Sequence, residues 1–415
     1  MIQNSELVST FHAYFTLALG LFFLLFDLNP KRLVLVAAYI VGAELLWRGT
    51  GADVFYEFGK YAIGLLLGLG LLRYHKLFRA DKKPVIFGLL LLPSIFAMSE
   101  FDRELLAFNL LGPIILAIAA TFFSTERYTP LFLQKIFLCM LAPIVGLAFL
   151  SFLSTLSANS LQLYASTRAT AAGIGPNQVS SILGCGVLIS FIILILNKRN
   201  RWLQFLMGVI LVWLVVQSAL TFSRGGFWTA IFSILVGALY IFRSHRSRMK
   251  FLIFATFSSI FAYLWLFPFL SDVTGGLLFQ RFTDFSTTGR FDLILIDLDA
   301  FWDNLLFGLG PGQSPEYHNL YFRYASVHTE YSRLIAEHGL FGLFALILLL
   351  WMSIKRFFQR SLSAYTFLTV SLTLWALLFM GHSATRLVAP AFIFGMAAVS
   401  IIEEKDSHSE NKEQI

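Results

Sequence analysis

Long apolar runs, broken by short polar connectors, dominate the chain. A membrane crossing needs about 20 mostly apolar residues. By that ruler the candidate spans are 11–27, 33–47, 59–73, 84–98, 103–123, 134–154, 177–196, 202–222, 226–242, 251–270, 331–353, 361–381 and 387–402. The expected fold class is therefore all-α, a polytopic integral membrane protein with about 13 transmembrane helices. Three runs, 33–47, 59–73 and 84–98, are short, so the range is about 12 to 14. A different period appears inside the one long connector, 271–330. Phe291, Leu295, Leu298, Trp302 and Leu305 share one helical face, and Asp292, Asp299 and Asp303 fall on another. That spacing predicts an amphipathic helix lying in a membrane interface. Gly308, Gly310, Pro311 and Gly312 then predict a turn-rich break. An aromatic stretch follows, with Tyr317, His318, Tyr321, Phe322, Tyr324 and Tyr331. Aromatic faces suit sugar rings and lipid headgroups alike.

Composition agrees with lipid as the main solvent. Hydrophobic residues make up 57% of the chain and charged residues 13%. A soluble domain is about 25% charged, so two ordinary soluble domains are excluded. Cys139 and Cys185 both sit in apolar runs and read as buried small hydrophobes, not a disulfide or metal site. The start of the chain, Met1 to Thr10, carries no Lys or Arg, so no secretory n-region is expected there.

The net charge of +7 changes meaning once the 31 basic residues are sorted by connector. One alternating set, around Lys31, Arg73 to Lys83, Arg127 and Lys135, Lys198 to Arg201, Arg243 to Lys250, Lys355 to Arg360 and the tail, mixes Lys and Arg. The positive-inside rule places it in the cytoplasm. The N-terminus is then outside and the C-terminal tail inside. The other set is Arg48, Lys60, Arg103, Arg168, Arg224, Arg281, Arg290, Arg323, Arg333 and Arg386. Nine of these ten are arginine, whose planar fork suits phosphate oxygens. The charge therefore serves insertion on one side and an anionic ligand on the other, and no nucleic-acid partner is expected. The organisation expected is N-terminal helices over 1–158, a second helical region over 159–402 with the outer loop 271–330, and a polar tail over 403–415.

Some residues carry plain structural readings. Arg333 and Glu337, four apart on a helix, are expected to pair, and so are Glu57 and Lys60. Asp297-Leu298-Asp299 invites a metal reading, but residues two apart on a helix diverge by roughly 200°, so a solvated face is expected instead. Gly225-Gly226 suits close helix packing or backbone amides turned to an anion. Span interiors are almost free of charge, Glu44 being the main exception, which argues against a transporter path. No phosphate-binding loop or kinase-like set is present, so a substrate would have to arrive activated. Neither cofactor nor metal is expected.

Four stretches recur in order on the outer side. They are Thr167-Arg168-Ala169-Thr170 with Gly175-Pro176-Asn177; Thr221-Phe222-Ser223-Arg224-Gly225-Gly226; Thr288-Gly289-Arg290 with Gly308-Leu309-Gly310; and His328-Thr329 followed by Gly339-Leu340-Phe341-Gly342. Together, over about residues 160–350, they resemble the O-antigen ligase and polymerase superfamily of bacterial surface-polysaccharide assembly. The ligase pattern has Asn, Ser or Gln after the histidine, where this chain has Thr329. The resemblance implies a multi-pass protein of the bacterial inner membrane with its active site on the periplasmic side. It implies transfer of a glycan from an undecaprenyl or similar polyprenyl diphosphate to an acceptor hydroxyl, without metal, with inversion. The acceptor is lipid A-core for a ligase and the growing glycan for a polymerase. Arg168, Arg224 and Arg290 match the family's arginine positions and would bind the diphosphate. His328 would be the catalytic base. Tyr321, Tyr324, Arg333 and His318 are further candidates for substrate contact, and membrane lipids are expected partners. A membrane transporter stands as the distant alternative.

Overall fold

The computed structural model describes residues 2–98, 102–157, 167–197, 200–241, 245–278, 290–321, 329–358 and 364–402. Helices form where the apolar runs predict them. In order they are α1 Ile2–Phe26, α2 Lys31–Gly49, α3 Phe58–Arg73, α4 Lys83–Leu90 with a 3-10 turn Pro93–Ala97, α5 Arg103–Phe123, α6 Pro130–Ser157 and α7 Pro176–Leu196. They continue as α8 Arg201–Leu220, α9 Arg224–Ile241, α10 His245–Phe261, α11 Phe267–Thr274, α12 Arg290–Asp303, α13 Ser314–Asn319, α14 Glu330–Phe357, α15 Ala364–Ser383 and α16 Ala389–Met396. Local chemistry sets several starts. Asp102 accepts from Glu104 N and Leu105 N at 2.8 and 3.1 Å to cap α5. Thr329 Oγ1 accepts from Tyr331 N to cap α14.

Among the described residues, eight helices are long and apolar enough to cross a membrane: α1, α5 to α9, α14 and α15. The other five candidate spans fall on shorter or more polar elements. Segments 33–47 and 59–73 lie on α2 and α3, which carry Glu44, Arg48 and Lys60. Segment 84–98 is α4 plus the 3-10 turn, and 251–270 is α10, a π turn and the start of α11. Segment 387–402 differs most from a continuous span. Helix α16 has eight residues, about 12 Å of rise, and every one of them is buried. It sits inside the bundle against α5 and α15. The chain then forms β2, Ser400–Ile401, parallel to β1, Arg127–Tyr128.

Small residues allow the central contacts, as expected where lipid offers no hydrophobic drive between helices. Helix α7 lies against α6, α8, α9 and α15. A Cβ on Gly184 would stand 2.4 Å from the Gly226 carbonyl, and one on Gly226 would stand 2.2 Å from the Ser180 backbone. Gly226 therefore serves close packing. Cys185 is buried and Cys139 half-buried, both free thiols. Large exposed apolar side chains, such as Phe15, Phe205, Leu239 and Phe257, stud the outer faces of α1, α8, α9 and α10.

Contacts between connectors fall into the same two sets that the charge pattern defines. At the mixed-charge end, Lys76 pairs with Glu126, Asp81 N donates to Ser124 Oγ, and β1 joins β2. Burial lowers the pKa of Lys76, and Glu126 acts in the opposite direction. At the arginine end, Asp53 N donates to Thr10 Oγ1, Arg48 to Gln178, and Thr385 to Glu330. Among the described residues these bonds link connectors of one set only.

Candidate functional site

The arginine end is built on a buried polar network. Helix α12 turns one face to α14 and the other outward. Phe291, Leu295 and Trp302 are exposed, as the amphipathic pattern predicts. Asp292 and Asp299 are exposed as well, but Asp297 is buried, only 1% accessible. The solvated-face expectation is thus corrected for Asp297. It points into the α12–α14 seam, where a bare carboxylate would be costly, and two donors satisfy it. His318 Nε2 donates to Oδ1 at 2.7 Å and Ser332 Oγ to Oδ2 at 2.5 Å. His318 is itself fully buried on α13.

At the next residue of α14, Arg333 lies between two carboxylates. Nη2 donates to Glu330 Oε1 at 2.5 Å and Nη1 to Glu337 Oε2 at 3.1 Å. Both Nη atoms also reach the Asn109 carbonyl at 3.2 Å. The Arg333–Glu337 pair expected from spacing is present, with a second carboxylate added. All three charges are buried. Buried charges hold only when paired and hydrogen-bonded, so Arg333 is committed to the protein. The Glu57–Lys60 pair forms too, at 2.7 Å.

The two glycine motifs of the third and fourth stretches meet here. Gly339 kinks α14 at φ 57° and ψ −137°, a region open essentially to glycine alone. The loop 304–310 enters that kink. Leu309 N donates to Ala336 O, Gly310 N to Glu337 O, and Leu340 N to Leu305 O. A Cβ on Gly308 would stand 2.4 Å from Glu337 C, and one on Gly339 2.5 Å from Leu305 O. His338, just before the kink, meets Ser94 Oγ at 2.5 Å through Nδ1.

The loop between α15 and α16 is held from both sides. Glu330 Oε2 accepts from Thr385 N and Oγ1 at 2.9 and 3.1 Å. Glu44 Oε2 accepts from Val388 N at 2.9 Å, while its Oε1 takes Arg48 Nη2 at 2.7 Å. The Arg48 guanidinium also covers the Tyr56 ring at 3.9 Å. Arg386 sits between the two anchored residues. Burial lowers its pKa, Tyr56 and Glu330 act to raise it, and Arg333 lowers it further. This arginine, not singled out from the sequence, is placed by the carboxylates on either side.

The first two stretches also come together. Ser223 Oγ donates to Asn177 Oδ1 at 2.7 Å, and Ser180 Oγ to Ser223 O at 2.9 Å. Arg224 is the first residue of α9 and half-buried. Phe222, at φ 56°, makes the sharp turn that leads into it. Arg168 opens a 3-10 turn, Arg168–Thr170, and is exposed. That turn is tied to α6, where Ser151 Oγ donates to Thr170 O at 2.9 Å and Ser154 Oγ to Ala169 O. Gly225 faces the His382 ring.

Of the remaining candidates, Arg290 is the first residue of α12, with only its backbone described. Tyr321 is 58% exposed, its ring 6.0 Å from that of Tyr317. Tyr317 OH donates to Asp303, and that bond, more than burial, raises its pKa. His328, Tyr324 and the tail 403–415 lie outside the described residues.

This architecture is that of an all-helical membrane protein whose arginine-bearing turns gather at one end. Residues 218–347 match the family model described as O-Antigen ligase. The likeness to that family covers 130 of the 415 residues, about a third of the chain. The matched segment contains Arg224, Arg290, His328 and both glycine motifs, while Arg168 and Asn177 precede it. No curated protein matches the chain.

Proposed function

We propose that the protein transfers a glycan from a polyprenyl diphosphate to an acceptor hydroxyl at the arginine end. The O-Antigen ligase match supports membrane glycosyl transfer of this general type. The observation that carries the reading is the 2.7 Å bond from Ser223 to Asn177. It joins a motif outside the matched segment to one inside it, with Arg224 at the junction and the Arg168 turn eight residues before Pro176.

The chemistry follows from the residue types. The acceptor oxygen attacks the anomeric carbon from the face opposite the diphosphate, the bond to the diphosphate oxygen breaks, and the configuration inverts. The leaving diphosphate gains charge, which Arg168, Arg224 and Arg290 stabilise with paired donors. His328 takes the acceptor's proton, a task suited to a group that titrates near neutral pH. Arg333 and His318, buried and paired, hold the α12–α14 seam beneath the site. In this reading the helices cross the bacterial inner membrane about 13 times. The arginine end is periplasmic and the C-terminus cytoplasmic.

The acceptor proposed is lipid A-core, which makes the protein an O-antigen ligase. Thr329 in place of Asn, Ser or Gln favours repeat-unit polymerisation as a second reading. A strain lacking the protein separates the two. A ligase mutant accumulates long lipid-linked polymer, while a polymerase mutant carries at most one repeat on its surface. Long polymer still reaching the lipid A-core without this protein excludes the ligase reading.

A further inference from the structure

A cavity of about 680 Å³ lies at the mixed-charge end. The far end of α14 lines it with Met352, Lys355 and Arg356, and α4 adds Lys83. Helical rise from Leu340, past the kink, to Arg356 is alone about 24 Å, which sets it well away from the network described above.

Three cations and one carboxylate, Asp81, line the cavity. Lys83 lies 3.3 Å from Asp81, so that pair offsets its own charge. Lys355 and Arg356 remain. Basic residues at this end need no ligand to explain them if they only direct insertion. An insertion signal, however, needs only to reach water, and Arg356 does the reverse. It is turned inward, 9% exposed, and lies 4.3 Å from the Phe394 ring centroid. Among the described residues no carboxylate comes within 4.0 Å of it. Its hydrogen bonds there, to Phe394 O at 2.9 Å and Thr373 Oγ1 at 3.4 Å, both leave from Nη1. Nη2 and Nε are the donors an anion would use. The hydroxyls of Thr366 and Ser124 and the apolar Met352, Ala120 and Phe358 are also in the lining. A cationic floor with hydroxyls and an apolar wall matches a charged group carried on a greasy body.

We propose that this cavity binds a phosphate group, the headgroup of an anionic membrane lipid being its source. Basic pockets between transmembrane helices take such headgroups in general. The site is separate from the transfer chemistry proposed above and does not depend on it.

The test uses the full-length protein in phosphatidylcholine nanodiscs, with phosphatidylglycerol or inorganic phosphate titrated in. The readouts are the thermal midpoint and the lipid retained in native mass spectrometry. Phosphatidylglycerol is expected to raise the midpoint and to remain bound at one site per chain. Arg356→Lys keeps a charge but loses the fork, and Lys355→Gln alters an exposed side chain that folding does not need. Each is expected to raise the half-saturating concentration about tenfold, the loss of one good charged contact. Retention of phosphatidylglycerol with no effect of inorganic phosphate assigns the site to a lipid headgroup. An equal effect of inorganic phosphate assigns it to the free anion. No response to either, or wild-type titrations in both variants, overturns the proposal.

Discussion

Glu330 holds Thr385 through both its backbone N–H and its hydroxyl, at 2.9 and 3.1 Å, while its other oxygen takes Arg333. One buried carboxylate thus ties the start of α14 to the loop that enters α16. Removing its partner leaves charge stranded out of water. Arg333→Ala is expected to destabilise the fold by about 3–5 kcal/mol, the usual cost of breaking a buried pair from one side. Thermal unfolding in detergent, with the amount inserted in the membrane as a second readout, checks this. A wild-type midpoint would contradict the network.

Gly339→Ala tests the kink. A methyl group there meets Leu305 O, and the backbone sits where other residues rarely go. The expected loss is at least about 1–3 kcal/mol. The same change at Gly208, where an added Cβ meets nothing within 4 Å, is expected to be tolerated. Paired unfolding curves for the two variants decide it.

Ser223→Ala removes the bond to Asn177 at little cost to packing. A loss of about 1 kcal/mol in stability is expected, with a larger fall in transfer if the bond positions Arg224. Loss of stability with full activity would reduce the bond to a structural role.

Arg386 is held between two loop anchors, Thr385 on Glu330 and Val388 on Glu44. Arg386→Gln is expected to slow transfer about tenfold, or ~1.4 kcal/mol in the barrier, with an unchanged unfolding midpoint. Unaltered kinetics would remove Arg386 from the site.

The apolar runs located nearly every helix, because a lipid solvent makes hydrophobicity and helix formation the same signal. In 387–402 they did not show that the helix stops after eight buried residues and runs on to β2, since a buried half-helix and a continuous span look alike in composition. Sorting of basic residues by connector matched the grouping of connector contacts, because only same-end connectors can touch. Spacing exposed the Arg333–Glu337 pair, which is local in sequence. It missed Glu330 with Thr385, 55 residues apart, and Asp297 with His318, 21 apart. No local pattern encodes such partners. Asp297 was also hidden by its neighbours, as Asp292 and Asp299 are exposed on the same helix. Arg333, which the sequence offered both as Glu337's partner and as a possible substrate contact, is buried, while Arg168 is exposed.

The most direct measurement is transfer by purified protein in proteoliposomes given a polyprenyl diphosphate-linked glycan and a lipid A-core acceptor. Wild type is compared with His328→Ala and Arg224→Lys. The account predicts transfer by wild type without added metal or nucleotide. It predicts near-complete loss with His328→Ala, and a fall of about 10²–10³ with Arg224→Lys, both variants inserting normally. Near-wild-type rates in the His328 variant, or no transfer by the wild type to either lipid A-core or glycan acceptor, would contradict it.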